Sequence, residues 1–116
     1  MSTSIKVSSA AESGSSYYLN IVNLSRKAWA PSQKEITGSS NAAEGTKFTY
    51  VPSASSFTNG YWSRSLVSGT ANMAVYIKSD NTRGTQSHTL NKPMRPVICV
   101  SKNAVLIPYS DGYKLN

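Results

Sequence analysis

Alternating hydrophobic and polar positions divide the sequence into several short predicted β-strands. The alternation is clearest in Met73–Lys78, where the Met, Val and Ile side chains fall on one face. A polar turn at Asp80–Gly84 follows and Thr85–Leu90 returns as a partner strand, so the pattern predicts a β-hairpin over residues 73–90. Further strands are predicted over residues 17–24, 47–51, 61–65, 97–100, 103–107 and 113–115.

The last third of the chain carries two more specific signals. Val97–Val100 is apolar throughout, which predicts a central strand, with Pro96 at its start because proline cannot donate to a strand ladder. Cys99 within this strand is expected to be a small buried hydrophobe. Asp111-Gly112 predicts a tight turn between the final two strands.

A single short helix is predicted after Pro31. Ser32 and Glu35 have the spacing of a capping box, in which the serine side chain caps the amide three residues on and the glutamate reaches back. Gly38 would end this helix after one or two turns. We therefore expect an α+β domain of mostly short antiparallel strands, one short helix and long loops.

The N-terminal residues 1–16 are rich in Ser and Ala, which predicts an extended arm in front of a single domain over residues 17–116. The large apolar residues of the arm, Ile5 and Val7, would add a strand to the edge of a neighbouring subunit. The first residues contain no apolar stretch typical of a secretory signal. This predicts synthesis in a cytoplasm, where the protein either stays or from which it leaves by assembly, by lysis or by another secretion route.

The composition is typical of a virion or extracellular domain. Of 116 residues, 39 are Ser, Thr or Asn, while only 15% are charged. The net charge is +7, spread along the chain, with Arg26 and Lys27 the one adjacent basic pair. Nucleic-acid arms usually carry a dense basic run, so a nucleic-acid partner is not favoured. The spread charge suits an acidic protein shell, a cell-wall polyanion or DNA, or serves solubility alone.

The candidate chemistry is sparse. One cysteine excludes an intrachain disulfide, and one histidine offers little for a metal site. No nucleophile elbow, Walker-type loop or dinucleotide fingerprint occurs, so we expect neither an enzyme nor a cofactor. No run approaches the roughly 18 apolar residues of a membrane-spanning helix, so we expect no membrane association.

Spaced motifs add a family resemblance over about residues 29–115. These motifs are Pro31-Ser32-x-x-Glu35-Ile36, Glu44-Gly45-Thr46-x-Phe48, Tyr61-Trp62-Ser63-Arg64-Ser65, Ala74-Val75-Tyr76 and Arg95-Pro96-Val97-Ile98. Their order resembles that of C-type-lectin-like domains found in phage virion proteins and bacterial surface proteins. The first long helix of that family has no counterpart here, and Met94 replaces its usual valine or glycine. The resemblance implies a trimmed lectin-like fold, completed by the arm or by another subunit.

The residues that carry this resemblance have a structural and a ligand-binding interpretation. Ser32 and Glu35 cap the helix, and Arg64 and Arg95 would order loops by donating to backbone carbonyls or to Glu35 or Glu44. The alternative is a ligand-facing surface formed by Tyr61, Trp62, Arg64, Asn81 and Arg83. Calcium-dependent sugar binding is not expected, because the five carboxylates are scattered and the usual ligand motifs are absent.

Two functional hypotheses follow. The first is a non-enzymatic phage virion structural protein, either a capsid decoration or a fibre-associated subunit, that forms a homo-oligomer and docks on an acidic capsid lattice. Its expected docking residues are Ile5, Lys6, Val7, Arg26 and Lys27. The alternative is a receptor- or glycan-binding module of a phage tail tip or surface adhesin, acting on a host-surface glycan through loops 53–60 and 66–72 and the hairpin tip 80–84.

Overall fold

The computed structural model describes residues 2–13, 16–39, 44–67, 69–70, 72–109 and 112–115. The described elements are β1 (Thr3–Ser13), β2 (Ser16–Arg26), β3 (Ala28–Trp29), α1 (Gln33–Thr37), β4 (Tyr61–Leu66), β5 (Met73–Ile77), β6 (Arg83–Ser87), β7 (Val97–Ile98), β8 (Leu106–Tyr109) and β9 (Gly112–Leu115). Within these ranges the fold is mixed α+β, with mostly short antiparallel strands and one short helix, as predicted. None of the described helical residues form a segment long and apolar enough to cross a membrane.

The described strands form four small sheets. The strand orders are β1-β2, β3-β7, β4-β5-β6 and β8-β9, and all these pairs are antiparallel. The predicted hairpin over residues 73–90 is confirmed, with Met73 opposite Ser87 and Ile77 opposite Arg83. The pairing of β8 with β9 agrees with the predicted C-terminal turn, although Asp111 lies outside the described residues.

The N-terminal segment differs from the expected arm. β1 pairs along its whole length with β2 of the same chain, from Thr3 opposite Arg26 to Ser13 opposite Ser16. The expected boundary at residue 16 therefore falls within a hairpin. Ile5 is only 7% exposed, because the chain buries this apolar side chain against its own body instead of a neighbour. The side chain of Val7 lies outside the described part of the structure.

The prediction of a central strand over residues 97–100 is wrong, because β7 has only two residues and belongs to a two-stranded sheet. Only Val97 and Ile98 pair, with the two residues of β3, and Ile98 is 56% exposed. Proline at positions 93 and 96 removes backbone donors on both sides of Arg95, which limits pairing there. Cys99 is correspondingly half-buried and not enclosed. The predicted strand at residues 47–51 is a loop in the structure, and β8 begins at Leu106, three residues later than predicted.

The hydrophobic core lies between α1, the loop after it and the three-stranded sheet. Ile36, Ala54, Tyr61 and Ile77 are buried there, and the partly buried residues packed against them are Phe48, Val51 and Phe57. The Tyr61 and Phe57 rings meet in a tilted arrangement with centroids 5.2 Å apart. Trp62 is only partly buried, so Tyr61 is the central aromatic residue of the core.

Candidate functional site

The predicted capping box is present and sets the position of α1. The Ser32 Oγ accepts from the Glu35 N–H at 3.0 Å, and the Glu35 Oε1 accepts from the Ser32 N–H at 3.0 Å. Gly38 adopts a left-handed φ of 81° and its N–H donates to the Lys34 carbonyl, which ends the helix. The amide of Gln33 donates to the Ser65 hydroxyl at 2.9 Å, so the start of α1 is fixed to β4.

Arg64 of β4 connects four parts of the chain. Its guanidinium donates to the carbonyls of Lys6 and Ala30, both at 2.9 Å, and of Glu44 at 3.1 Å. It also forms an ion pair with the Glu35 Oε1 at 2.5 Å, and its side chain is only 8% exposed. The arginine therefore ties β1, the segment before α1, α1 itself and the following loop together. This position makes Arg64 structural and removes it from the expected ligand-facing surface.

Glu44 is a second buried carboxylate in this network. It is fully buried, its carbonyl accepts from the Ser32 hydroxyl at 2.6 Å, and its Oε2 lies 4.0 Å from the Arg64 Nε. The neighbouring Gly45 has a φ of 101°, and a Cβ there would lie 2.8 Å from the Glu35 Oε2. Glycine thus lets the loop lie directly against the Glu35 side chain.

Arg95 orders a loop, as expected. It donates to the carbonyls of Pro52 at 3.2 Å and Ser53 at 3.0 Å, while its guanidinium lies 5.5 Å from the Tyr61 ring centroid. Burial raises the pKa of the Tyr61 phenol, and the nearby Arg95 partly opposes that rise. Tyr61 is completely buried, so it also leaves the expected ligand-facing group.

A surface groove of about 450 Å³ lies beside the hairpin β5–β6. Its lining consists of hydroxyl, amide, ammonium and phenol groups together with backbone and one leucine. The lining residues are Thr58, Asn59, Gly60, Tyr76, Lys78, Ser79, Gln86, Leu90, Asn91 and Lys92. The groove is therefore polar, and its two ionic side chains are both cationic.

Lys92 holds a fixed position in the wall of this groove. Its Nζ donates to the Asn59 carbonyl at 2.6 Å and lies 4.1 Å from the Tyr76 ring centroid and 5.7 Å from that of Trp62. The Trp62 and Tyr76 rings meet edge to face at 6.3 Å, and the Trp62 Nε1 donates to the Leu90 carbonyl. This arrangement places one ammonium group over a pair of packed aromatic rings.

The backbone beneath Tyr76 is glycine at two positions. Gly84 lies directly opposite Tyr76 in the pairing of β5 with β6, and a Cβ at Gly84 would overlap the Tyr76 ring. Gly60, with a φ of 77°, also lies against this ring and against the Ile77 carbonyl. Glycine at both positions therefore leaves room for the Tyr76 ring close to the backbone.

A profile described as "Domain of unknown function (DUF6273)" matches residues 1–102. The chain belongs to the DUF6273 family. No curated protein and no solved structure matches it at a significant level. The DUF6273 match includes β1 to β7, and so covers the Arg64 network and the groove beside the β5–β6 hairpin.

Among the remaining residues singled out from the DUF6273 sequence, Asn81 and Arg83 share the lining of another groove, separate from the one that Tyr76 and Lys92 line. Asn81 has a φ of 64° in the hairpin turn, and its Nδ2 donates to the Pro52 carbonyl. Arg83 is exposed and donates to the Gln33 Oε1 at 3.0 Å, beside a second groove. The expected docking residues Lys6, Arg26 and Lys27 are exposed, in contrast to the buried Ile5. The structure thus does not gather the expected ligand-facing residues at one place.

Sequence reasoning missed Tyr76 and Lys92 as components of a site. The alternation in β5 assigns Tyr76 to the face opposite Val75 and Ile77, which was an available signal for an aromatic side chain outside the core. Lys92 has no such signal, because its neighbours Asn91 and Pro93 give no periodic pattern. Among the described residues, no three His, Cys, Asp or Glu side chains are grouped as a metal site would require.

Proposed function

We propose that this DUF6273 domain is a non-enzymatic module that binds a saccharide on a receptor or cell surface, as a phage tail-tip or surface adhesin domain does. The observation that carries the proposal is the polar groove with the Lys92 ammonium fixed over the Tyr76 ring. Saccharide sites need convergent groups that can donate and accept hydrogen bonds to hydroxyls. Thr58, Asn59 and Asn91 supply such groups at the lining.

A C-type-lectin-like fold is part of this proposal. It is supported by the contact between two of the motifs on which the resemblance depends, the helix with Glu35 and the strand with Arg64. A hairpin, β5–β6, and the Arg95–Ile98 segment follow in the order that the resemblance implies. The groove includes Thr58, Asn59 and Gly60 of the loop 53–60 that was expected to face a ligand, but no described residue of the expected loop 66–72 or of the hairpin tip 80–84.

An oligosaccharide array probed with the full chain tests the proposal. Asn91→Trp fills the groove at an exposed lining position, whereas Asn103→Trp adds the same bulk at an exposed position outside the groove. We expect the wild type and Asn103→Trp to retain the same saccharides and Asn91→Trp to lose them. Absence of any retained saccharide, or equal retention by Asn91→Trp, would contradict the proposal.

The second candidate is a virion structural protein, a capsid decoration or fibre-associated subunit on an acidic lattice. The β1–β2 hairpin favours it, because strands of 11 residues extend about 36 Å and form a two-stranded sheet in the described chain. A neighbouring subunit could add a strand to such a sheet. We rank this candidate second because Ile5 is buried within the chain and the Lys6 carbonyl already accepts from Arg64.

A further inference from the structure

We propose that the saccharide taken by the groove is acidic, and that Lys92 and Lys78 bind its carboxylates. This inference rests on the proposed function and goes beyond it by naming the ligand class. Both lysines line the groove, and its described lining contains no carboxylate. An acidic ligand would therefore meet two positive charges, and no carboxylate of the described lining would compete with it for them.

The neighbours of Lys92 hold its ammonium group in place but leave it able to bind such a ligand. An ammonium group has three donors, and the Asn59 carbonyl accepts from one of them at 2.6 Å. The described ion pairs join Arg64 to Glu35 and Glu44, and no described carboxylate lies within ion-pair distance of Lys92. A ligand carboxylate would thus gain a charge-assisted hydrogen bond to an ammonium whose position is already fixed.

Lys78 adds a second positive charge at the same groove. Its side chain is exposed, and the nearest acidic residue along the chain is Asp80 in the hairpin turn. The Asp80 carboxylate accepts from the Thr82 hydroxyl at 2.5 Å and from the Thr82 N–H at 3.1 Å. The hydrogen bond from the Thr82 side chain is the largest cause that lowers the pKa of Asp80, and the charge of Lys78 lowers it by a smaller amount, so this carboxylate is held mainly within its own turn.

The aromatic geometry favours a charged saccharide over a single-stranded nucleic acid. Non-specific single-strand binding uses exposed aromatic faces on which bases stack. The Tyr76 ring carries the Lys92 ammonium at 4.1 Å and also lies against Gly60 and Gly84. The ring therefore already has close neighbours on the protein, and recognition of a ligand falls to the ammonium groups and to the amides and hydroxyls around them.

Calorimetric titration of the full chain with matched saccharide pairs tests this inference. The probes are galacturonate, alginate and hyaluronate oligosaccharides and the same oligosaccharides with their carboxylates reduced to neutral alcohols. We expect at least one acidic form to bind about tenfold more tightly than its reduced form at low salt, as a hydrogen bond to a charged group allows. Added salt should shrink this difference.

Charge-matched variants locate the effect. Lys92→Gln should bring the affinity for the acidic form down to that for the reduced form, whereas Lys102→Gln removes the same charge at an exposed position outside the groove and should change little. Thermal melting shows whether Lys92→Gln is folded. If it is not, Lys78→Gln takes its place and should lower the affinity for the acidic form.

The outcomes separate the two proposals. Equal binding of acidic and reduced forms overturns the acidic ligand but leaves the saccharide-binding function standing. Binding of neither form, together with an empty oligosaccharide array, overturns both. An oligothymidylate that binds more tightly than every uronate, and is lost in Lys92→Gln, would replace the saccharide with a nucleic acid.

Discussion

At the scale of single residues, the interior is organised around one guanidinium and two carboxylates. Removing charges from water is costly, and Arg64 offsets that cost with an ion pair to Glu35 and with hydrogen bonds to three backbone carbonyls. The sequence predicted that Arg64 would order loops by donating to backbone carbonyls or to Glu35 or Glu44. It did not predict that Lys6, 58 positions away, would be one of the acceptors.

Replacing Arg64 by Met should lower the free energy of unfolding by about 3–5 kcal/mol, because buried carboxylates then lose their cation. Urea unfolding followed by tryptophan fluorescence measures this loss. Arg83→Met is the matched control, since Arg83 is exposed and makes one described side-chain hydrogen bond, to Gln33. It should cost less than about 1 kcal/mol. A similar small cost for Arg64→Met would show that the network contributes little.

Two glycines with similar backbone angles allow the effect of close packing to be separated from that of φ. Gly60 and Gly69 have φ values of 77° and 84°, but a Cβ at Gly60 would overlap the Ile77 carbonyl while one at Gly69 meets nothing within 4 Å. Gly69→Ala should cost about 1–2 kcal/mol from the left-handed conformation alone. Gly60→Ala should cost about 1–3 kcal/mol more, from the overlap. Equal values in urea unfolding would mean that the backbone shifts freely at Gly60.

At the scale of elements, local signals predicted well and long-range ones did not. The capping box of Ser32 and Glu35 and the β5–β6 hairpin depend on residues within a few positions of one another, and both are present. Val97–Val100 has an equally strong apolar pattern, yet a strand needs a partner, and only the two residues of β3 pair with it. The groove was not predictable, because it brings together residues from three separate segments.

The attachment of β1 can be tested with two isoleucines. Ile5 is 7% exposed and Ile98 is 56% exposed. Ile5→Ala should lower the free energy of unfolding by about 2–4 kcal/mol, since a buried isoleucine leaves a cavity. Ile98→Ala should change it by less than about 1 kcal/mol. If both changes are small, β1 does not stabilise the rest of the domain, and the extended arm that the sequence predicted is the better description.

At the scale of the whole molecule, the shape is more extended than its mass suggests. The principal extents are 52, 30 and 22 Å, and the radius of gyration is 15.3 Å, compared with about 13 Å for a compact domain of this length. The exposed surface is 7533 Å², compared with about 6200 Å² for a compact monomer of this mass. This excess of exposed surface is similar in size to the area that two proteins bury when they associate, as the assembly hypothesis requires.

Removing the N-terminal residues tests directly whether β1 stabilises the rest of the domain. The sequence alone predicts that removing residues 1–16 leaves the domain folded. The structure leads to a different expectation, because the truncation removes the buried Ile5 and the Lys6 carbonyl that accepts from Arg64. We expect the melting temperature to fall by at least about 10 °C, as a loss of several kcal/mol implies. An unchanged melting temperature would restore the original prediction.

Since truncation would confuse unfolding with loss of docking, the virion hypothesis needs charge variants that keep the hairpin intact. Arg26→Gln with Lys27→Gln removes two exposed charges at the end of β2, and Lys47→Gln with Lys102→Gln removes two exposed charges elsewhere. If the hairpin docks on an acidic lattice, the first pair should weaken binding to purified particles about two- to tenfold at low salt, as two exposed ion pairs allow. The second pair should not. High salt should remove this difference but leave residual binding through strand pairing, which is not ionic. Equal weakening by both pairs would mean that the net charge of +7 acts diffusely, and that the hairpin is not the docking surface.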